Sequence, residues 1–585
     1  MNSLEALPSK VKNLSFLDAI NWQLAVLFLL PFLITLINAG WVFGQDNRMD
    51  PWYNFGFFLN FKGHLNIFAH AHQTGRLGWL LPGFLSYKFL PPLLATYVLH
   101  FALYYGSIFS LYFILKRTMS ERVAFLTALL AGLHVDLLHA LGSTYIDGAG
   151  ITYLLLCLLF LTPPSKPKLS ENFRLFIAGA LYCALLSTQI FLAVFTPILL
   201  LHHLYFSAPF TVSKCLRCLL FVLLGFLSLT CFFSLILYLM NGNFLHFILP
   251  VKNMLAFAKH NIHYPSAYSH LTEKHLAFPI LTCITSLLTL IFYKPKKEHG
   301  PIRLFQVYYL LSAALFIYID LVKKQPILLA TWYASYLFPP MFLAFGGLFS
   351  VAVSKMKQQM FYLCIGVLVL ITFTCFLFAN SSFDKFSQPY HLTLNWLWIL
   401  VGMVGFALLF FPRYNSKFAA LCLFSLFFGI MNINFHNRSL ATCLNYKKKI
   451  NSSDATLKKN AFLAVYKSIY EIKKIDPEFD SFFWPDLSDN QGRFNLGDVF
   501  ISIASTYLCA NMINKSFTST TAYGQQGKPL ASGMRVFILS KQENILNEIN
   551  HNLVQTGLKS ELLCETPIQS GKINFKIQYI QLCDL

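Results

Sequence analysis

Apolar runs long enough to cross a bilayer, or nearly so, recur along the first three quarters of the chain. They lie at approximately 22–43, 94–115, 123–140, 148–162, 174–188, 190–206, 218–240, 276–293, 304–322, 332–353, 360–379, 393–411 and 418–435, about thirteen in all. Short polar segments separate most of them, although the fifth and sixth are divided by almost nothing polar. Past about residue 436 the pattern changes, with Lys, Asn, Ser and Asp spread throughout. There the spacing predicts a helix over 454–474, with Leu457, Phe462, Val465, Ile469 and Ile472 on one face. Strand-like runs follow near 482–485, 533–539 and 573–581, with a helix at about 543–555. The expected architecture is an all-α polytopic membrane domain over 1–435 and a small α/β extramembrane domain over 436–585. There is no internal repeat and no low-complexity tract.

Composition agrees with this pattern. Of the 585 residues 56% are hydrophobic, 16% aromatic and only 12% charged, more apolar surface than a soluble domain can bury. The net charge of +20 does not mark a nucleic-acid protein, because the basic residues fall in short clusters between apolar runs. With Lys10 and Lys12 placed inside, every second loop should be basic. Those loops carry Lys116, Arg117 and Arg122; Lys166, Lys168 and Arg174; Lys214 and Arg217; Lys294, Lys296, Lys297 and Arg303; Lys355 and Lys357; Arg413 and Lys417. All agree. An odd number of spans then puts the N-terminus in the cytoplasm and the C-terminal domain outside, in the periplasm of a bacterial inner membrane. The first run has no small-residue cleavage site and is expected to stay as a membrane helix. Most of the 13 cysteines fall in apolar runs, where they act as small hydrophobes. Cys443, Cys509, Cys564 and Cys583 fall in the polar tail, where an oxidising compartment would let them pair.

The chemistry concentrates on the outer side. The first outer loop, 44–93, opens with GQDNRMDPWYN and is expected to form amphipathic helices at the membrane surface. Asp46, Arg48 and Asp50 stand at alternate positions there, and Trp52 and Tyr53 are suited to an interface or to stacking on a sugar. A second acidic stretch joins the third and fourth runs: His134, Asp136 and His139, then GSTYIDGAG with Tyr145 and Asp147. An ionisable group inside an apolar run suggests function, whereas Asp147 also suits the first turn of a helix, where it could act as a cap. Cations able to meet a phosphate are Arg48, Arg76, Lys252, Lys259, Lys274, Lys323 and Lys324, each equally an ordinary loop charge. In the 241–275 loop, His260, His263, His270 and His275 match no tight metal spacing. Tyr264, Tyr268 and Trp332 could stack on a ring or anchor at the interface.

Residues 48–61, RMDPWYNFGFFLNF, resemble the first outer-loop motif of the oligosaccharyltransferase catalytic subunit, and GSTYIDGAG resembles its second acidic motif. The segment Arg76 to Leu161 is similar to the dolichyl-phosphate-mannose and aminoarabinose transferases, and KKQPILLATWYASYLFPPMFLAFG to a late-span region of the same GT-C superfamily, with Tyr336, Pro339 and Pro340 matching. The resemblance covers about the first 350 residues. It implies sugar transfer from a polyprenyl-phosphate or diphosphate donor to a glycan, lipid or protein acceptor. Asp50 would be base or metal ligand, Asp46 its competitor, Asp147 the second acidic position, and Mg or Mn a possible cofactor. The tail holds FFWPD where oligosaccharyltransferase has WWDYG, and Gly148 and Ala149 follow Asp147, so transfer to asparagine is not expected. Competing readings are a transporter or flippase, an O-antigen polymerase or ligase, and a non-catalytic assembly factor.

Overall fold

The structure, a computed structural model, describes residues 22–37, 41–43, 49–67, 72–164, 169–207, 211–242, 274–292, 300–329, 331–353, 453–477, 481–486, 496–507, 512–514, 516–521 and 527–585, with isolated positions at 244, 248, 251–252 and 359. The expected runs at 360–379, 393–411 and 418–435 lie outside the described residues, as do Cys443 and Cys509.

The membrane part begins with α1 (Trp22–Ile37). The segment expected as the first outer loop then folds as α2 (Met49–Leu59), α3 (Phe61–Ile67) and α4 (Leu77–Phe89). A longer series follows: α5 (Pro92–Thr118), α6 (Glu121–Leu133), α7 (Val135–Gly142), α8 (Asp147–Leu161), α9 (Glu171–Thr188), α10 (Thr196–Phe206), α11 (Val212–Asn241), α12 (Ala277–Phe292), α13 (Gly300–Ile317) and α14 (Phe338–Val353). Among the described residues three helical stretches, Pro92–Thr118, Val212–Met240 and Pro301–Val322, are long and apolar enough to cross a membrane, and α6 with α7 would make a fourth as one bent span.

Two expected spans differ in detail. The run at 123–140 is not one straight helix: α6 and α7 meet at 68°. The break falls at His134, whose extended backbone ends one helix and whose Nδ1 accepts from the Leu137 N–H at the start of the next. Its ring is buried against Phe278, Phe338 and Phe342, so the packed imidazole explains the bend without a ligand. The run at 304–322 ends in a π-helical turn, Tyr318–Val322, that buries Asp320. Asp320 accepts from the Leu328 N–H at 2.6 Å, and His275 Nε2 donates to the Leu328 carbonyl at 2.8 Å, so Leu328 is held at both its backbone groups.

Where α9 crosses α11 the backbones approach closely. A Cβ on Gly179 would stand 1.9 Å from the Val222 carbonyl oxygen, and one on Gly225 1.9 Å from that of Phe176. Helices in lipid gain little from apolar burial against each other, so close backbone packing at small residues supplies the attraction.

The C-terminal unit is α/β, as its pattern predicts. Among its described residues are α15 (Ser453–Ile475), α16 (Leu496–Tyr507), α17 (Ile545–Val554) and six strands: β1 (Phe482–Pro485), β2 (Met512–Ile513), β3 (Thr520–Thr521), β4 (Arg535–Ser540), β5 (Leu558–Ser570) and β6 (Ile573–Asp584). The sheet order is β3-β2-β1-β4-β6-β5, with β1 parallel to β2 and β4 and the other pairs antiparallel. α16, β2, β3 and the long edge strand β5 were not expected. β5 escapes the pattern because KSELLCETP carries charges at scattered positions and faces solvent over much of its length.

This unit packs directly on the segment that follows α1. Phe462 of α15 lies 5.1 Å, ring to ring, from both Phe43 and Phe55, and α16 lies along α2. α2 is therefore covered from several sides, with Trp52, Phe55, Phe57 and Phe58 all buried, rather than half exposed at a surface. The tightest point is Gly56. His64 Nε2 donates to the Thr506 carbonyl at 2.7 Å beside it, and a Cβ on Gly56 would fall 2.2 Å from each of those two atoms. Burial pushes the His64 imidazole down to about 4, against the opposing pull of the carbonyls of Thr506 and Asn60.

Candidate active site

The two acidic motifs, about 90 residues apart in sequence, meet at Thr144. Its hydroxyl donates to the Pro51 carbonyl at 2.9 Å, so GSTYIDGAG is tied to the peptide that follows Asp50. The Thr144 carbonyl accepts from Asn54 Nδ2 at 3.0 Å and from Trp79 Nε1 at 2.8 Å. One residue thereby joins α2, α4 and the turn before α8. Asn54 and Thr144 are fully buried and Trp79 nearly so, and each polar contact there is worth more than at a wet surface.

Glycines let the backbones come this close. A Cβ on Gly142 would fall 2.2 Å from the Trp41 carbonyl oxygen, one on Gly148 2.7 Å from that of Ala140, and one on Gly150 2.7 Å from the Tyr336 ring. His100 adds a brace from α5: its Nδ1 donates to the Leu141 carbonyl at 2.7 Å, just before the motif. Tyr153, nearly two turns into α8, donates to the Gly78 carbonyl at 2.7 Å and fixes α4 from the other side.

Asp147 lies at the centre of this frame and is 3% exposed. It is the first residue of α8 and not its cap; Ile146 holds the cap position, with no side-chain hydrogen bond. The positive end of the helix favours a carboxylate there. Tyr336 interacts with both Asp147 and Tyr145. Arg76, 5% exposed at the start of α4, brings its guanidinium carbon 5.6 Å from the centre of the Tyr145 ring. Arg76 and Asp147 are thus linked through Tyr145 and Tyr336. Asp136 is buried in the first turn of α7, a place that also suits a carboxylate.

The other expected site residues divide by location. Asp50 lies in the first turn of α2. Trp52 is buried and meets Phe55 edge to face at 5.7 Å, so its ring packs inside the protein and offers no open face to a sugar. Tyr53 is half-buried and Lys252 exposed. Lys274 opens a short 3-10 turn, Lys274–Leu276. Asp46, Arg48, Lys259, Tyr264 and Tyr268 lie outside the described residues, as do His260, His263 and His270. Among the described residues no three His, Cys, Asp or Glu side chains cluster as a metal site requires.

Thr144, Asn54 and His100 did not stand out in the sequence. Asn54 and Thr144 sit in the motifs and His100 on the helix between them, but nothing in a linear pattern marks a threonine that bridges segments so far apart.

No family model matches this sequence, and no curated protein matches it. Among solved structures, the fold is similar to ArnT from Cupriavidus metallidurans bound to undecaprenyl phosphate, with a TM-score of 0.46 and 13% identity over 96% of this chain and 98% of that one. It is also similar to the apo state of ArnT from Cupriavidus metallidurans, with a TM-score of 0.47 and 12% identity over 95% of this chain and 97% of that one.

Proposed function

We propose that this protein is a membrane glycosyltransferase that moves a sugar from a polyprenyl-phosphate or diphosphate donor to an acceptor at the outer membrane surface. The observation that carries this reading is the Thr144 junction, which holds the DPWYN peptide against the segment bearing the buried Asp147. The motif resemblance of both segments supports it independently.

In this proposal Asp50 takes the proton of the acceptor hydroxyl as that oxygen attacks the anomeric carbon, with Asp46 the competitor for the role. The bond from that carbon to the donor phosphate breaks, and the phosphate leaves with the electron pair. Arg76, held beside Tyr145, and Arg48 meet its developing charge. Asp147 stabilises the positive charge that builds at the anomeric carbon, with Tyr336 keeping it oriented. A divalent cation, Mg or Mn, held by Asp50 and Asp147 would share that charge with the arginines.

The test uses cells that produce the protein or its Asp50→Asn and Asp147→Asn variants at equal levels, with envelope glycans and lipids profiled by mass spectrometry. Loss of one sugar modification in both variants, with the lipid-linked sugar building up on the outer leaflet, is the expected result. Unchanged profiles would end the enzymatic reading. Build-up confined to the inner leaflet would favour a flippase.

A further inference from the structure

Three helix hairpins end on the side of the molecule that the basic-loop pattern places in the cytoplasm: α5 with α6, α8 with α9, and α10 with α11. Their cations converge on the end of α8. Arg117 Nη1 donates to the carbonyls of Leu159 at 3.0 Å and Thr162 at 2.8 Å. Arg174 Nη1 reaches the same Thr162 carbonyl at 3.3 Å, and that of Phe160 at 3.4 Å. The Thr162 hydroxyl bonds His202 Nε2 at 2.8 Å, which ties α10 to the same point. Lys214 Nζ donates to the Ser207 carbonyl at 2.9 Å, and Arg217 to Asn172 Oδ1 at 2.9 Å, closing the remaining turn.

A helix C-terminus is well served by one cation. Here two guanidinium groups crowd one carbonyl, close enough to repel each other. Among the described residues neither has a salt-bridging carboxylate: Glu121 is taken by Lys116, and the exposed Glu171 acts on Arg174 only at longer range. Arg174 Nε is buried and has no hydrogen-bond partner. Two planar forks with N–H groups to spare suit a phosphate oxygen pair. Next to them Leu169, Phe173 and Tyr205 expose apolar surface suited to acyl chains.

We propose that Arg117 and Arg174 form a binding site for the phosphodiester of an anionic phospholipid in the cytoplasmic leaflet. The site is separate from the outer-side chemistry and does not depend on it.

The probe is phosphatidylglycerol. The full-length protein is placed in nanodiscs of phosphatidylcholine alone or with phosphatidylglycerol, and lipid retained through release into the gas phase is counted by native mass spectrometry, alongside the thermal unfolding midpoint. The wild type should retain phosphatidylglycerol in preference to phosphatidylcholine and unfold at a higher temperature when it is present. Arg174→Gln, whose lost backbone bonds are the longer ones, should weaken that preference roughly fivefold, and the Arg117→Gln, Arg174→Gln pair roughly thirtyfold. Arg122→Gln, which removes another cation of the α5–α6 turn, should leave it unchanged. The midpoint in phosphatidylcholine alone shows whether each variant still folds; Arg174→Gln alone decides if the pair does not. Equal losses for Arg122→Gln and Arg174→Gln would reduce the effect to diffuse surface charge and overturn the proposal. Equal stabilisation by inorganic phosphate in detergent would also overturn it, since the site would then recognise a free anion.

Discussion

Replacing Thr144 with Val removes one hydroxyl and keeps the side-chain shape, so it tests the junction with little change in packing. The lost contact is the 2.9 Å donation to the Pro51 carbonyl. A buried acceptor stripped of its partner costs about 1–3 kcal/mol. Pro51 lies in the first turn of α2, so its carbonyl keeps the helical bond to a residue four ahead. The expected cost is therefore at the lower end, about 1 kcal/mol. That is small beside a typical folding free energy of about 5–15 kcal/mol, and the variant should stay almost fully folded. Activity should respond far more. With the hydroxyl gone, the segment carrying Asp147 loses its bond to Pro51 and keeps the one from Asn54 to the Thr144 carbonyl, and misplacement on the scale of an ångström is worth about a hundredfold in rate. The assay compares transfer per folded molecule, with unfolding followed in the same detergent or bicelle preparation. Thr144→Ser, which keeps the hydroxyl, should recover most of the rate. A Thr144→Val enzyme that turns over within about twofold of wild type, at equal folded protein, would show that the junction does not set the chemistry.

The His64 contact gives a pH signature with a defined sign. Its folded value of about 4 lies below the ordinary 6.5, so stability is full above pH 6.5 and is lost as pH falls from there toward 4, when the unfolded imidazole takes a proton that the folded one refuses. The gap of about 2.5 pH units sets a ceiling of about 3 kcal/mol. Proteolysis of the C-terminal unit at pH 7.5 and pH 5 should show it, and His64→Gln should flatten the difference; an unaltered pH dependence in that variant would remove His64 from the explanation. Gly56→Ala should loosen the same contact at every pH, because its Cβ meets both His64 Nε2 and the Thr506 carbonyl, and wild-type protease resistance would refute it. Gly225→Ala should part α9 from α11, since backbone has no rotamer with which to give way. The check is the yield of monodisperse protein, and normal yield and unfolding midpoint would count against the crossing.

Much of the architecture is legible in the chain because hydrophobic patterning is a local property. Among the described residues, helix positions follow the apolar runs within a few residues. Phe462, Val465, Ile469 and Ile472 form the buried face of α15 as their spacing predicts, and β1, β4 and β6 fall where apolar residues concentrate. Patterning fails where a residue's partner is distant. The bend at His134 arises from phenylalanines on α12 and α14, and the edge strand β5 has too little buried surface to leave an alternating trace.

What the sequence determined alone is therefore the apolar runs that make helices, the α/β character of the C-terminal unit and the two acidic segments, since charge and apolar length act through the solvent and need no partner. Tertiary structure decided the rest. It buried Arg76 beside Tyr145, made Trp52 a packing residue, set Asp147 at the first position of α8 and gathered Arg117 and Arg174 at one carbonyl. It also brought Pro51 and Thr144, 93 residues apart, within one hydrogen bond. Contacts of that kind depend on which helices pack side by side, and that is settled by shape complementarity over the whole bundle and not by any segment of the chain.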